Sequence, residues 1–323
     1  MQQAVHLNTK RIGSIDLLRG LIMIIMALDH TRDFFHTEGM TGDPLNADTT
    51  YPALYFTRWI THFCAPTFVF LSGLSAWLQS GRKTKKELSF FLITRGIWLI
   101  LVDLFIMSFA FTADIHYSFF VLETLWSLGA GMIVLGLMIH FPFKIILVTG
   151  LLIVFGHNLL DMAEANRQTP VPLWWNLLHQ VTIKPLGGGH SLFILYPFLP
   201  WAGLMMLGYC YGKFFTTMEA PQRNRILLWT GVGAIILFFV LRFTNFYGDP
   251  RRWQEQATGM KTLFVFMNIQ KYPPSLLFLC ATIGPMLIVL SLLKNVRGWF
   301  ARFAAVFGRV PLFYFSLHPA LQT

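Results

Sequence analysis

Long apolar runs separated by short polar stretches set the pattern of the chain from residue 17 onward. A membrane-spanning helix needs about 20 mostly apolar residues. Runs of about that length occur at 17–35, 60–79, 89–112, 118–139, 143–160, 191–212, 226–243, 274–293 and 303–320. They predict an all-α, polytopic integral membrane bundle of nine or ten transmembrane helices. Too little chain lies between the runs for a separate globular unit, so residues 1–323 read as a single transmembrane domain. The first run begins only after Arg19 and has no small-residue cleavage site behind it, which reads as a first span and not a signal peptide. The last run reaches Leu321-Gln322-Thr323 with no polar tail, which reads either as a truncated final helix or as a clipped chain.

Composition supports this reading: 55% of residues are hydrophobic and 12% charged, against about 25% charged in a soluble domain. The net charge of +10 is spread among the connections and forms no basic face, so nucleic acid is not the expected partner. The lipid bilayer is. With the N-terminus in the cytoplasm, the inner connections carry thirteen bases against two acids and the outer ones seven against eight. That asymmetry fixes the N-terminus inside. The long connections at 36–59, 161–190 and 244–273 then lie outside, where a polar acceptor is expected to be handled. Cys64, Cys210 and Cys280 lie in apolar runs without CxxC spacing, which indicates neither a disulfide nor a metal.

Ionisable groups inside a span are costly and mark function. The first run ends in Asp29-His30-Thr31-Arg32-Asp33 and continues to His36. Asp29, Arg32, Asp33 and His36 recur at spacings of three and four and share a helix face. A carboxylate beside an imidazole orients a general base. His62, at the mouth of the second run, lies on the same side, so two helix ends can bring His30 and His62 together. The expected catalytic set is His30, His62, Asp29 and Asp33. Arg32, His36 and His190, which follows Gly187-Gly188-Gly189, are the expected substrate contacts.

At the inner end, Asp16 and Arg19 are three residues apart and can pair. Arg95 and the Arg82, Lys83, Lys85 and Lys86 cluster form a cationic rim able to hold nucleotide phosphates. Asp16, Arg19 and Arg95 are the expected cofactor contacts. Asp103 and Glu123 are expected as buried carboxylates partnered by Arg95 or Arg242, and Trp174-Trp175 as interface anchors. GxxxxGK[ST], GxGxxG, HExxH and GxSxG are all missing, which argues against nucleotide hydrolysis and serine-hydrolase chemistry.

Four blocks carry a family resemblance. Arg11-x-x-Ser14-Ile15-Asp16-x-x-Arg19-Gly20 resembles the opening motif of the heparan-alpha-glucosaminide N-acetyltransferase family and its bacterial relatives. Pro66-Thr67-Phe68-Val69-Phe70-Leu71-Ser72-Gly73 is similar to that family's second-span block. Pro200-Trp201-x-Gly203 with Gly208-Tyr209-x-x-Gly212, and Gly308-Arg309-Val310-Pro311-Leu312-Phe313, resemble the bacterial branch. The resemblance implies transfer of an acetyl group from cytoplasmic acetyl-CoA, as co-substrate, to an acceptor on the far side, with a histidine central to catalysis. For the bacterial branch it implies a multi-pass protein of the inner membrane. Here the position that would match the family histidine by spacing from Pro66 is Pro52, which cannot act as a base. Asp29, His30, Asp33 and His62 would then do the work in a different arrangement.

The leading expectation is therefore an acetyl-CoA-dependent membrane acyltransferase acting on a saccharide, glycolipid or other cell-envelope acceptor. A homo-oligomer is compatible with it. The alternative is a transporter or flippase of a polar or lipid-linked solute, with Asp103, Glu123 and Arg95 as its coupling residues.

Overall fold

The computed structural model describes residues 13–35, 44–165, 171–293, 296 and 298–308. Helix α1 (Gly13–Phe35) is followed by α2 (Pro52–Ile60), which runs through one 3-10 turn (Thr61–Phe63) into α3 (Cys64–Ser80). Helix α4 (Lys85–Leu101) passes through a π-helical turn (Val102–Met107) into α5 (Ser108–Thr112). Strand β1 (Phe119–Leu122) leads into α6 (Thr124–Met138), and α7 (Phe143–Gly156) bends by 44° into α8 (Asn158–Ala165). After α9 (Leu173–Leu178) come β2 (Thr182–Gly187) and β3 (His190–Ile194). Helices α10 (Leu199–Thr217), α11 (Ala220–Thr244), α12 (Gly259–Met267), α13 (Leu276–Leu292) and α14 (Trp299–Phe307) complete the order.

The protein is mostly helical, but not all-α. A mixed sheet of order β1-β3-β2 pairs β1 parallel and β2 antiparallel with β3. The runs expected to enter the membrane as helices at 118 and 191 open instead as β1 and β3. Phe119–Leu122 and Leu192–Ile194 are short apolar stretches, and periodicity alone does not separate these from buried helix. Gly187, Gly188 and Gly189 form the β2–β3 turn, all with positive φ (87°, 62° and 85°), a conformation glycine adopts without a Cβ penalty.

Among the described residues, three continuous helical segments are long and apolar enough to cross a membrane: Pro52–Ser80, Lys85–Thr112 and Ala220–Thr244. The bent α7–α8 pair makes a fourth if it counts as one span, while α6 and α13 are apolar but shorter. The Pro52–Ser80 segment is largely buried. The other two turn Phe90, Ile97, Trp98, Trp229, Ile236 and Phe243 outward, as a lipid-facing surface requires.

Helices α3 and α10 form the centre, with α6 and α7 against α10, α4 against α6, and α13 against α11. A Cβ on Gly73 would lie 1.9 Å from the Met205 carbonyl oxygen, and one on Gly208 would lie 2.1 Å from that of Phe70. Such backbone approach is how apolar helices associate when burial against lipid gives little drive.

The long connections are folded as well. Tyr55 of α2 stacks on Phe264 of α12 at 4.3 Å and donates its hydroxyl to the Phe264 carbonyl at 2.8 Å. Arg242 is buried and donates to the carbonyls of Phe266, Val265 and Asn268 at 2.7, 2.9 and 3.1 Å. In the connection after α11, Asp249 accepts from the Gln270 amide at 2.8 Å and from the Ser275 hydroxyl at 2.6 Å. Burial pushes its carboxyl above the usual range. Ser275 in turn accepts from the Phe278 amide at 3.0 Å and caps α13.

The expected pairing of Asp103 with Arg95 or Arg242 is not what forms. Asp103 lies in the π-helical turn and accepts from the Glu123 and Trp126 amides at 2.7 and 2.9 Å. It satisfies backbone donors at the start of α6 that have no intrahelical acceptor.

Candidate active site

Pro66 shapes the centre of this site. It has no N–H to give the carbonyl of residue 62, and the helix tightens at that point into the 3-10 turn Thr61–Phe63. His62, on this turn, is 2% exposed. Its ring packs against Phe278 at 5.3 Å and Trp59 at 6.4 Å. Its Nδ1 is buried without a hydrogen-bond partner among the described residues, and a buried polar atom left unpaired is costly unless something else meets it.

Helix α1 packs against this turn. From α1, Asp29 faces Arg58, whose Nη1 lies 2.9 and 3.1 Å from the two carboxylate oxygens. Arg32, one turn along α1, pairs with the same carboxylate. Arg58 and His62 are four residues apart, so α2 and the turn present a guanidinium and an imidazole toward α1 together. The charge of Lys271, in the connection before α13, acts on both Asp29 and His62. Its ammonium lies 5.0 Å from the centre of the Tyr272 ring, and the Tyr272 hydroxyl is 3.3 Å from that of Tyr196. The site thus joins an unpaired buried imidazole to a cationic rim built around one carboxylate.

His36 and the side chains of His30 and Asp33 lie outside the described residues; the backbone of His30 and Asp33 continues α1. Asp29 and Arg32 meet, and His62 lies beside them. Asp16 and Arg19 pair at 3.2 Å on α1, and Arg19 also donates to the Gly308 carbonyl at 3.2 Å and to the Ser75 hydroxyl at 3.1 Å. Arg95 is exposed on α4, 5.9 Å from the Phe91 ring, which Lys83 approaches at 5.2 Å. His190 is exposed at the start of β3 and donates from Nδ1 to the Tyr117 carbonyl at 2.9 Å.

Residues 11–243, well over half of the chain, match the family described as heparan-alpha-glucosaminide N-acetyltransferase, catalytic. This chain belongs to that family. Among the curated proteins none matches it. The blocks that carry the resemblance are also where helices meet. A Cβ on Gly20 would lie 1.8 Å from the Ala304 carbonyl oxygen, and one on Gly308 would lie 1.9 Å from that of Asp16. Gly73 and Gly208 make the α3–α10 crossing. Arg19 links the first block to the last.

Sequence reading missed Arg58 and Lys271 as members of the site. The four-residue spacing of Arg58 and His62 was the one local sign. Lys271 arrives through the folded connection before α13, which no spacing announces.

Proposed function

We propose that this protein is a multi-pass membrane acetyltransferase that takes an acetyl group from cytoplasmic acetyl-CoA and passes it to an amine or hydroxyl of a saccharide or cell-envelope acceptor on the outer side. Membership of the N-acetyltransferase family supports the reaction class. The observation that carries the site is His62, buried with an unpaired Nδ1 beside the Asp29–Arg58 pair.

In this reading His62 takes the proton from the acceptor as its nitrogen or oxygen attacks the thioester carbonyl. The new C–N or C–O bond forms, the C–S bond breaks, and the proton passes to the departing thiolate to give CoA. Arg58 and Lys271 place positive charge where the carbonyl oxygen becomes an oxyanion. Asp29 holds Arg58 and Arg32 in place. His30, from the same end of α1, is a second imidazole for the same step. The acetyl donor docks at the inner rim, where Lys83 and Arg95 flank Phe91 and suit a phosphorylated nucleotide. The inward bias of Lys and Arg supports an inner N-terminus, and the bacterial branch of the resemblance supports the inner membrane.

The test is release of CoA from radiolabelled acetyl-CoA by protein in lipid, comparing wild type with His62→Gln. Loss of turnover in a folded variant supports the reading; undiminished turnover overturns it.

A further inference from the structure

Away from His62, helix α8 and the end of α9 gather a second set of polar side chains. Asp161 and Glu164 are three apart on α8, and His179 follows α9. One ligand atom from each lies within 4.8 Å of the other two. The His179 side chain is fully buried, and those of Asp161 and Glu164 are 15% and 13% exposed. Among the described residues no Lys or Arg forms an ion pair with either carboxylate. The one cationic partner beside them among the described residues is His179 itself, when protonated, so a bound cation would balance carboxylates that are largely removed from water.

Each group is also held by a neighbouring side chain. Asn158 Nδ2 donates to Asp161 Oδ2 at 2.7 Å, leaving Oδ1. Trp175 Nε1 donates to Glu164 Oε1 at 2.7 Å. His179 Nε2 lies 3.1 Å from His157 Nδ1 and 4.0 Å from Asp161 Oδ1, while its Nδ1 is turned toward Glu164 Oε1 at 3.0 Å. Outer hydrogen bonds of this kind orient metal ligands. Two atoms each bound at about 2.1 Å to one ion are about 3.0–3.4 Å apart, and the His179–Glu164 separation falls in that range.

We propose that Asp161, Glu164 and His179 bind one divalent transition-metal ion, of the zinc or manganese kind. One imidazole with two carboxylates suits these ions, and the carboxylates balance their charge. The ion takes the lone pair of His179 Nδ1; the ring proton resides on Nε2 and is donated to His157 Nδ1. Three protein ligands leave coordination positions for water or a further ligand, as in an open site.

The experiment uses full-length protein with a tag free of histidine, purified in lipid nanodiscs and stripped with a chelator. Zinc or manganese chloride is then titrated in, with calcium chloride as control, and bound metal is counted by mass spectrometry after gel filtration. Wild type is expected to retain about one zinc or manganese ion per chain and no calcium. A Glu164→Gln/His179→Gln variant should retain none. Trp175→Phe, which keeps an aromatic ring and removes the indole N–H to Glu164, should fold and bind about tenfold more weakly. Wild type that retains no more metal than the double variant, or a Trp175→Phe affinity equal to wild type, overturns the proposal and leaves a proton bridging His179 and Glu164 in the ion's place. The readout is bound metal, so it stands or falls apart from acyl transfer.

Discussion

Arg58 meets both carboxylate oxygens of Asp29 through a single nitrogen, at 2.9 and 3.1 Å, and so ties α2 to α1 one turn before His62. The pair is partly buried, at 20% and 15% exposed. Its loss falls between the cost of an exposed pair and that of a fully buried one. Arg58→Leu is expected to cost about 1–3 kcal/mol and to lower the thermal midpoint in detergent. Arg58→Lys should recover part of the stability, because the charge returns without the planar guanidinium.

Gly73 sits where α3 touches the backbone of α10, with no room for a Cβ. Gly73→Val is expected to destabilise the protein by more than about 3 kcal/mol, seen as loss of monodisperse protein on gel filtration. Gly233, where an added Cβ meets nothing within 4 Å, is the control, and Gly233→Ala should leave yield and midpoint unchanged.

The helical and apolar character of the chain was legible because runs of about 20 apolar residues have few other uses in a protein. The ends of the runs were not. Residues 118–122 and 191–194 are as apolar as the helices they adjoin, and only the Gly187–Gly189 turn and pairing across 70 residues of chain make them strands. Asp29, Arg32 and His62 were found as polar residues in apolar surroundings. Lys271 reaches the site through tertiary folding of the connection between α11 and α13. Asp103 illustrates the opposite error: a carboxylate within an apolar run suggests an ion pair or a coupling residue, yet its partners are backbone amides that a side-chain pattern does not reveal.

That capping role is open to measurement. Asp103→Leu removes the acceptor of two amides at the start of α6, and a buried donor left unmet costs about 1–3 kcal/mol. The variant is expected to lose about 2–5 kcal/mol of stability. A solute-coupling role predicts instead a stable protein with altered transport.

The proposed sidedness rests on the distribution of Lys and Arg and is testable by labelling. A cysteine placed at Lys85 should react with a membrane-impermeant maleimide only after the bilayer is opened, and one at Lys261 should react in intact cells. Cys64, Cys210 and Cys280 are buried and give a low background. The reverse pattern would invert the assignment of inner and outer ends.

The most direct test of the account is single-turnover acetyl transfer in nanodiscs, with wild type compared against His62→Gln at matched thermal midpoint. The account predicts that the variant binds acetyl-CoA as wild type does and transfers label at least about 100-fold more slowly, the scale of a lost general base. Equal transfer rates in the two proteins would contradict it and remove His62 from the chemistry.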